Sequence, residues 1–358
     1  MINTITKLTL VALIVLLNGC GSGNDSPTAL PEVNAFESLQ TNVLEAHGNA
    51  LISALEEAEQ PLTGTLSQSD VETLQNNFET IMKEWKSVQN AYVAADFDSA
   101  LIDIPQLMDF FHTGKSLDIA SDVDTALAST VNIEDALFKN SSKSITALEY
   151  LVFANGESLS QIVTLMNANN GRRIEAIKVS LAYLKVKAQI IAHFYKNDSK
   201  FIADDLDAAN SVANVLIDSA FRLKEFRIGE PAGIVAKYAD DPDPERLEYL
   251  KSELSLVAVK AILLTHQEIM GEQSYENFGS FAIENSAEEV VTNIRVQLKL
   301  ALGLVAEFST LEDAISTTAI DPKIQTLYDT IKELQRLYFE SLIQALNLTE
   351  EIIESDGD

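Results

Sequence analysis

The chain has 358 residues, enough for one large or two ordinary domains, and 46% of them are hydrophobic, so a sizeable core can form. Its 54 acidic against 25 basic residues give a formal net charge of −29. Such a surface repels phosphates, which excludes a nucleic-acid function, while it suits solubility or cation-rich surroundings.

Residues 1–19 read as a targeting segment. Lys7 gives a weakly basic start, and the apolar run from Leu8 to Leu17 is too short to span a bilayer. It ends in Leu17-Asn18-Gly19-Cys20, which holds the only cysteine of the chain and resembles a bacterial lipoprotein signal. Cys20 would then be the lipidated first residue, held by several acyl chains. Gly21, rather than Asp, next to it implies the periplasmic face of the outer membrane. No cysteine is left for a disulfide. Residues 20–32 form the lipidated cysteine and a tether, rich in Gly, Ser, Asn and Pro.

Beyond the tether, Gly and Pro are scarce, apolar residues recur at helical spacing, and no clean strand-like alternation is found. The fold class is all-α. A first helix is expected from about Val33 to Ala58, with His47 on its inner stripe among Val43, Leu44, Ala50 and Leu51. Those neighbours favour a satisfied core histidine over a ligand. Ser69-x-x-Glu72 has the form of a capping box and opens a second helix to about Ala95, whose inner face includes Met82, Trp85, Gln89 and Tyr92. Pro105 begins a short helix through Phe111. On it, Asp109 stands one turn before His112, where it could orient the ring or share a ligand. Asp118, Asp122 and Asp124 are spaced too openly for a calcium loop and read as a solvated helix start.

The segment Lys143-Ser144-Ile145-Thr146-Ala147-Leu148-Glu149-Tyr150-Leu151-Val152-Phe153 predicts a short, nearly all-apolar, buried helix. Glu149 lies inside that run, and a buried carboxylate is costly unless paired. Further helices are expected over Glu157 to Asn167, Arg172 to Tyr195 and Asp204 to Glu225. Phe226 to Pro244 is the clearest break and contains Gly229-x-Pro231-x-Gly233. Glu245 to Met270 reads as helix, with His266 and Glu268 on different sides. Ser286-x-x-Glu289 has the form of a second capping box, opening a helix to about Phe308, and Pro322 starts a last helix ending near Leu348. His193 is expected to be exposed.

The Glu149 segment resembles the signature of imelysin-like proteins, a bacterial family of envelope proteins, in which Gly-x-His-x-x-Glu precedes an aromatic residue and aliphatics. Ser144 stands at the Gly position, Thr146 at the His position, and Glu149 is kept. Trp85-x(6)-Tyr92 and Gly229-x-Pro231-x-Gly233 match two further places in that family. The resemblance implies two packed helical bundles with the site at their interface: an N-terminal bundle over 33–225, a linker over 226–245, and 246–358 completing the second. The family was first described as metallopeptidases, and its His and Glu, one helix turn apart, suit a metal. A threonine hydroxyl is a poor ligand for a transition metal. No catalytic or metal-ligating set is therefore assigned. The ligand-binding candidates are Glu149, Thr146, His112 and Asp109.

Two readings follow. The first is a non-enzymatic lipoprotein, anchored to the membrane through Cys20, that binds a small ligand, a metal or an envelope protein; the family's links to iron uptake give the context, and a divalent metal or iron is the cofactor to test. The second is a metallopeptidase with an altered ligand set, Glu149 plus His112 or His47. Thr146 favours the first.

Overall fold

The computed structural model describes residues 34–112, 118–316 and 320–350. The targeting segment, Cys20 and the tether lie outside the described residues, as does the acidic tail from residue 351.

Helix α1 spans residues 35–59 and contains a π-helical turn at Gln40–Glu45. Asn34 caps it by accepting a hydrogen bond from the Phe36 amide at 2.7 Å. Helix α2, Gln68–Gln89, is capped by Ser67 and Asp70, not by the expected Ser69 and Glu72. The Ser67 amide donates to the Asp70 carboxylate while the Asp70 amide donates to the Ser67 hydroxyl, so the helix begins earlier than anticipated. Its face of Val71, Leu74, Phe78, Ile81, Met82 and Trp85 is fully buried.

Helix α3, Ile104–Met108, stops short of the expected Phe111, because Asp109 is already extended. Helix α4, Ile119–Ala128, is capped by Asp118, while Asp122 pairs with Lys139 and Asp124 accepts from the Tyr150 hydroxyl. Helix α5, Ile145–Phe153, ends at Ala154, whose left-handed backbone separates it from α6, Leu159–Asn167. Helix α7 is Arg172–Asn197. Helix α8 covers residues 205–229, its last turns π-helical over Leu223–Gly229.

The expected helix from Glu245 is the main correction. Helix α9 begins only at Ser255, and the preceding ten residues are short 3-10 turns broken where Tyr249 and Glu253 take left-handed conformations. After α9, Ser255–Met270, come α10, Phe278–Glu284, and α11, Glu288–Val305. No side chain caps α11; Ser286 is left-handed, and the expected capping box does not form. Helix α12 runs over residues 322–346 with Pro322 in its first turn.

Helices α1, α2, α5, α6 and α7 pack into one group and α8, α9, α11 and α12 into another, with α2 against α9 joining them. Both groups lie within one compact unit. Among the described residues the only strand-like pairing is an isolated bridge between Ile315 and Ile320. The fold is all-α.

The loop after α8 depends on glycine at a specific place. Gly233 has φ +65°, and a Cβ there would lie 2.8 Å from the backbone of Asp241 and Pro242. Gly64 has the same φ but nothing within 4 Å of its Cβ position. Gly64→Ala should therefore lose about 1–2 kcal/mol from the left-handed backbone alone. Gly233→Ala should lose about 1–3 kcal/mol more from the clash. Urea unfolding of both variants checks this; equal losses would contradict it.

Candidate functional site

The nearly all-apolar surface of α5 buries the helix, and with it Glu149, which is 5% exposed. Ser144, at the family's Gly position, is the N-cap: its hydroxyl accepts from the Ala147 amide at 3.2 Å. At the other end, Arg173 donates to the Tyr150 and Leu151 carbonyls, both at 3.0 Å, and satisfies the last turn. Among the described residues no lysine or arginine pairs with Glu149 directly. Its Oε1 accepts from the amide and the hydroxyl of Ser252, at 3.0 and 2.8 Å. Burial pushes this carboxyl up to about 7, against the opposing effect of those hydrogen bonds.

Thr146, one turn earlier, accepts from the Phe110 amide at 3.3 Å and donates to Asp109 Oδ1 at 3.2 Å. Asp109 is the hub. Its Oδ1 also accepts from the Phe111 amide at 3.0 Å, and its Oδ2 accepts from Trp85 Nε1 and Lys86 Nζ, both at 2.9 Å. Burial alone would raise this carboxyl. The Lys86 ammonium, with the Phe111 and Trp85 donors, outweighs burial and holds it at about 2.

Lys86 is fully buried. Besides Asp109 it donates to Glu248 Oε1 at 2.6 Å and Gln89 Oε1 at 2.8 Å. Glu248 Oε2 accepts from Arg227 Nε at 2.7 Å. The result is an alternating chain of Asp109, Lys86, Glu248 and Arg227, all at most 5% exposed. Charges so placed are tolerable only because every one is paired.

One wall of a cleft of about 230 Å³ is made by this network. Asp109, Gln89, Arg227, His112 and Arg222 line it; Thr146 and Glu149 do not. His112 and Asp109 share the cleft but not a bond. With α3 ended, the His112 ring turns to Glu230, 2.7 Å from Nε2, and stacks on Phe226 at 3.9 Å. Residues 113–117, which follow His112, lie outside the described residues.

The other histidines lie elsewhere. His47 is part-buried and both of its ring nitrogens are satisfied. Its Nδ1 lies 2.8 Å from Glu84 and its Nε2 2.7 Å from Glu268, which pins α1 to α2 and α9. Burial would lower the imidazole, but the two carboxylates raise it to about 9. His266 is buried and held low, at about 3, by burial. The Ser219 hydroxyl donates to Asn90 Oδ1, so it accepts from His266 Nε2 at 2.7 Å. His193 is exposed.

These positions do not fit a metal held by the family motif. Thr146 offers a hydroxyl already donating to Asp109, neither His47 nor His112 bonds to Glu149, and the cation between the two buried carboxylates is Lys86. Among the described residues no three His, Cys, Asp or Glu side chains are grouped to hold a metal ion. Sequence reasoning missed Lys86, Arg227, Glu248 and Ser252. Lys86 had a signal: Met82, Trp85, Lys86 and Gln89 follow the i, i+3, i+4, i+7 spacing of one helix face.

Glu149 makes stability depend on pH in a stated direction. The folded chain keeps its proton up to about pH 7, whereas the unfolded chain releases it near 4.5. The folded state thus binds more protons across that window, and stability falls as pH rises through it. Glu149→Gln removes this fall. Relative to wild type it should gain about 2 kcal/mol between pH 5 and pH 8 in urea unfolding. A difference constant across that range would contradict the assignment.

The imelysin family model (Peptidase_M75) matches residues 45–338. An imelysin-like protein from Psychrobacter arcticum 273-4 has a similar structure, with a TM-score of 0.58 at 17% identity, covering 89% of this chain and 98% of that one. A putative iron-regulated protein A precursor from Parabacteroides distasonis ATCC 8503 gives a TM-score of 0.64 at 12% identity, covering 89% and 97%. At these identities the likeness concerns the fold. Comparison with curated proteins gives no match. The family match spans most of the chain, and the chain belongs to the imelysin family.

Proposed function

We propose that this imelysin-family protein is a non-enzymatic binding lipoprotein of the bacterial envelope. It is tethered through Cys20 to the periplasmic face of the outer membrane and takes a small polar ligand or a partner at the cleft beside Asp109, His112 and Arg227. The observation that carries this reading is the use made of the motif. Thr146 stands where the family has an imidazole, its hydroxyl is spent on Asp109, and Glu149 is spent on Ser252. Both motif groups join distant parts of the chain and leave the open cleft to other residues.

Arg227 suits recognition. Its Nε binds Glu248 at 2.7 Å, Nη2 lies 3.5 Å from Gln89, and the guanidinium sits over the Phe111 ring at 5.5 Å. The remaining donor edge, on a rigidly held group lining the cleft, favours a carboxylate or another planar anion. The structurally similar Parabacteroides protein is described as iron-regulated, which makes iron supply the leading biological context.

The test uses the processed lipoprotein and its Glu149→Gln variant. Neither should carry stoichiometric metal after purification, and neither should cleave unfolded protein substrates. Metal lost in Glu149→Gln, or proteolysis abolished by it, would favour the altered metallopeptidase and overturn the proposal. In the same cell fractions, wild type should sediment with membranes and Cys20→Ser should not; equal partitioning would remove the anchor from the account.

A further inference from the structure

Lys86 Nζ sits at the centre of three oxygens: Glu248 Oε1 at 2.6 Å, Gln89 Oε1 at 2.8 Å and Asp109 Oδ2 at 2.9 Å. An ammonium has three N–H donors, and here each has an acceptor. Two carboxylates and an amide oxygen are also the donor set that hard divalent cations prefer, over the imidazole and thiolate of transition-metal sites. Calcium–oxygen distances are about 2.3–2.6 Å, so the same oxygens need draw in by only a few tenths of an ångström.

A second observation points the same way. The Tyr249 hydroxyl is buried and has no hydrogen-bond partner, while its ring lies 5.1 Å from Lys86 Nζ. It lies within electrostatic reach of Asp109, Glu248 and Glu149. The ring face over the cage adds a cation–π attraction for whatever cation occupies it.

We propose that Lys86 is a tethered cation filling a latent divalent-cation site, and that the oxygens of Asp109, Glu248 and Gln89 take a hard ion such as Ca²⁺ or Mn²⁺ once the ammonium is removed. Charge counting supports it. Without Lys86, Asp109 and Glu248 face Arg227 alone, leaving one uncompensated buried negative charge. A divalent ion supplies the missing positive charge. In the wild type the ammonium, covalently held, excludes metal from this cage. The proposal is separate from the function above. A metal carried by wild type and lost in Glu149→Gln bears on that function, whereas a metal gained on removing Lys86 bears on the cage.

The experiment compares thermal unfolding of wild type, Lys86→Gln and Lys86→Met in chelator and with about 1 mM CaCl₂ or MnCl₂. With one of the two salts, at least one Lys86 variant should rise by about 5 °C and wild type by less than about 1 °C. Adding Asp109→Asn to the responding variant should abolish the rise. No rise in either variant, an equal rise in wild type, or a rise that survives Asp109→Asn would overturn the proposal. If neither variant folds in chelator, both are refolded with and without MnCl₂ or CaCl₂. Recovery only with metal supports the cage; failure under both conditions overturns it.

Discussion

A single buried ammonium orders the centre of this molecule. Lys86 projects from α2 into a space where water does not reach, and its three donors hold Gln89 of the same helix, Asp109 at the end of α3 and Glu248 in the turns before α9. Arg227 from the π-helical end of α8 closes the network through Glu248. Moving each charge out of water costs several kcal/mol, and mutual attraction offsets this only when geometry is good and every donor is used. Four segments with no regular pairing between them are therefore fixed in one arrangement, and that arrangement forms a wall of the cleft. Leaving one partner unpaired is the expensive event, on the order of 3–5 kcal/mol.

The family motif is reinterpreted by the same physics. A helix as apolar as α5 must be buried, and a carboxylate carried inside with it must find donors or a proton. Glu149 finds both: two hydrogen bonds from Ser252 and a carboxyl pushed up to about 7 by burial. Thr146 replaces an imidazole with a short hydroxyl that both accepts from Phe110 and donates to Asp109. The motif thereby becomes a clasp, joining α5 to the extended segment at Asp109 and to the turn at Ser252. The neighbouring cleft is left to other side chains, among them Arg227 and His112, held by Glu248 and Glu230.

Much of this was legible in the sequence wherever the cause is local. The 3.6-residue spacing of apolar side chains, the scarcity of Gly and Pro, and the punctuation at Pro322 and Gly229-x-Pro231-x-Gly233 give the helices. The burial of Glu149 follows from its neighbours within one turn. The site was less legible because its partners are distant along the chain. Glu248 lies 162 residues from Lys86, Glu230 lies 118 from His112, and Glu268 lies 221 from His47. No spacing rule connects such pairs. Residues 245–254 misled for another reason: their composition is helical, but left-handed Tyr249 and Glu253 break the helix, and tertiary bonding to Glu248 and Ser252 outweighs local propensity. Lys86 was readable from its place on the inner face of α2.

The most direct measurement is a double-mutant cycle on Lys86→Met and Glu248→Gln, scored by urea unfolding at neutral pH. If the buried ammonium is what holds these segments, each single change is strongly destabilising and the double change is not their sum. The expected coupling is about 2–3 kcal/mol. Losses that add to within about 0.5 kcal/mol would mean that Lys86 and Glu248 act independently, and the centre of the molecule would have to be explained without their ion pair.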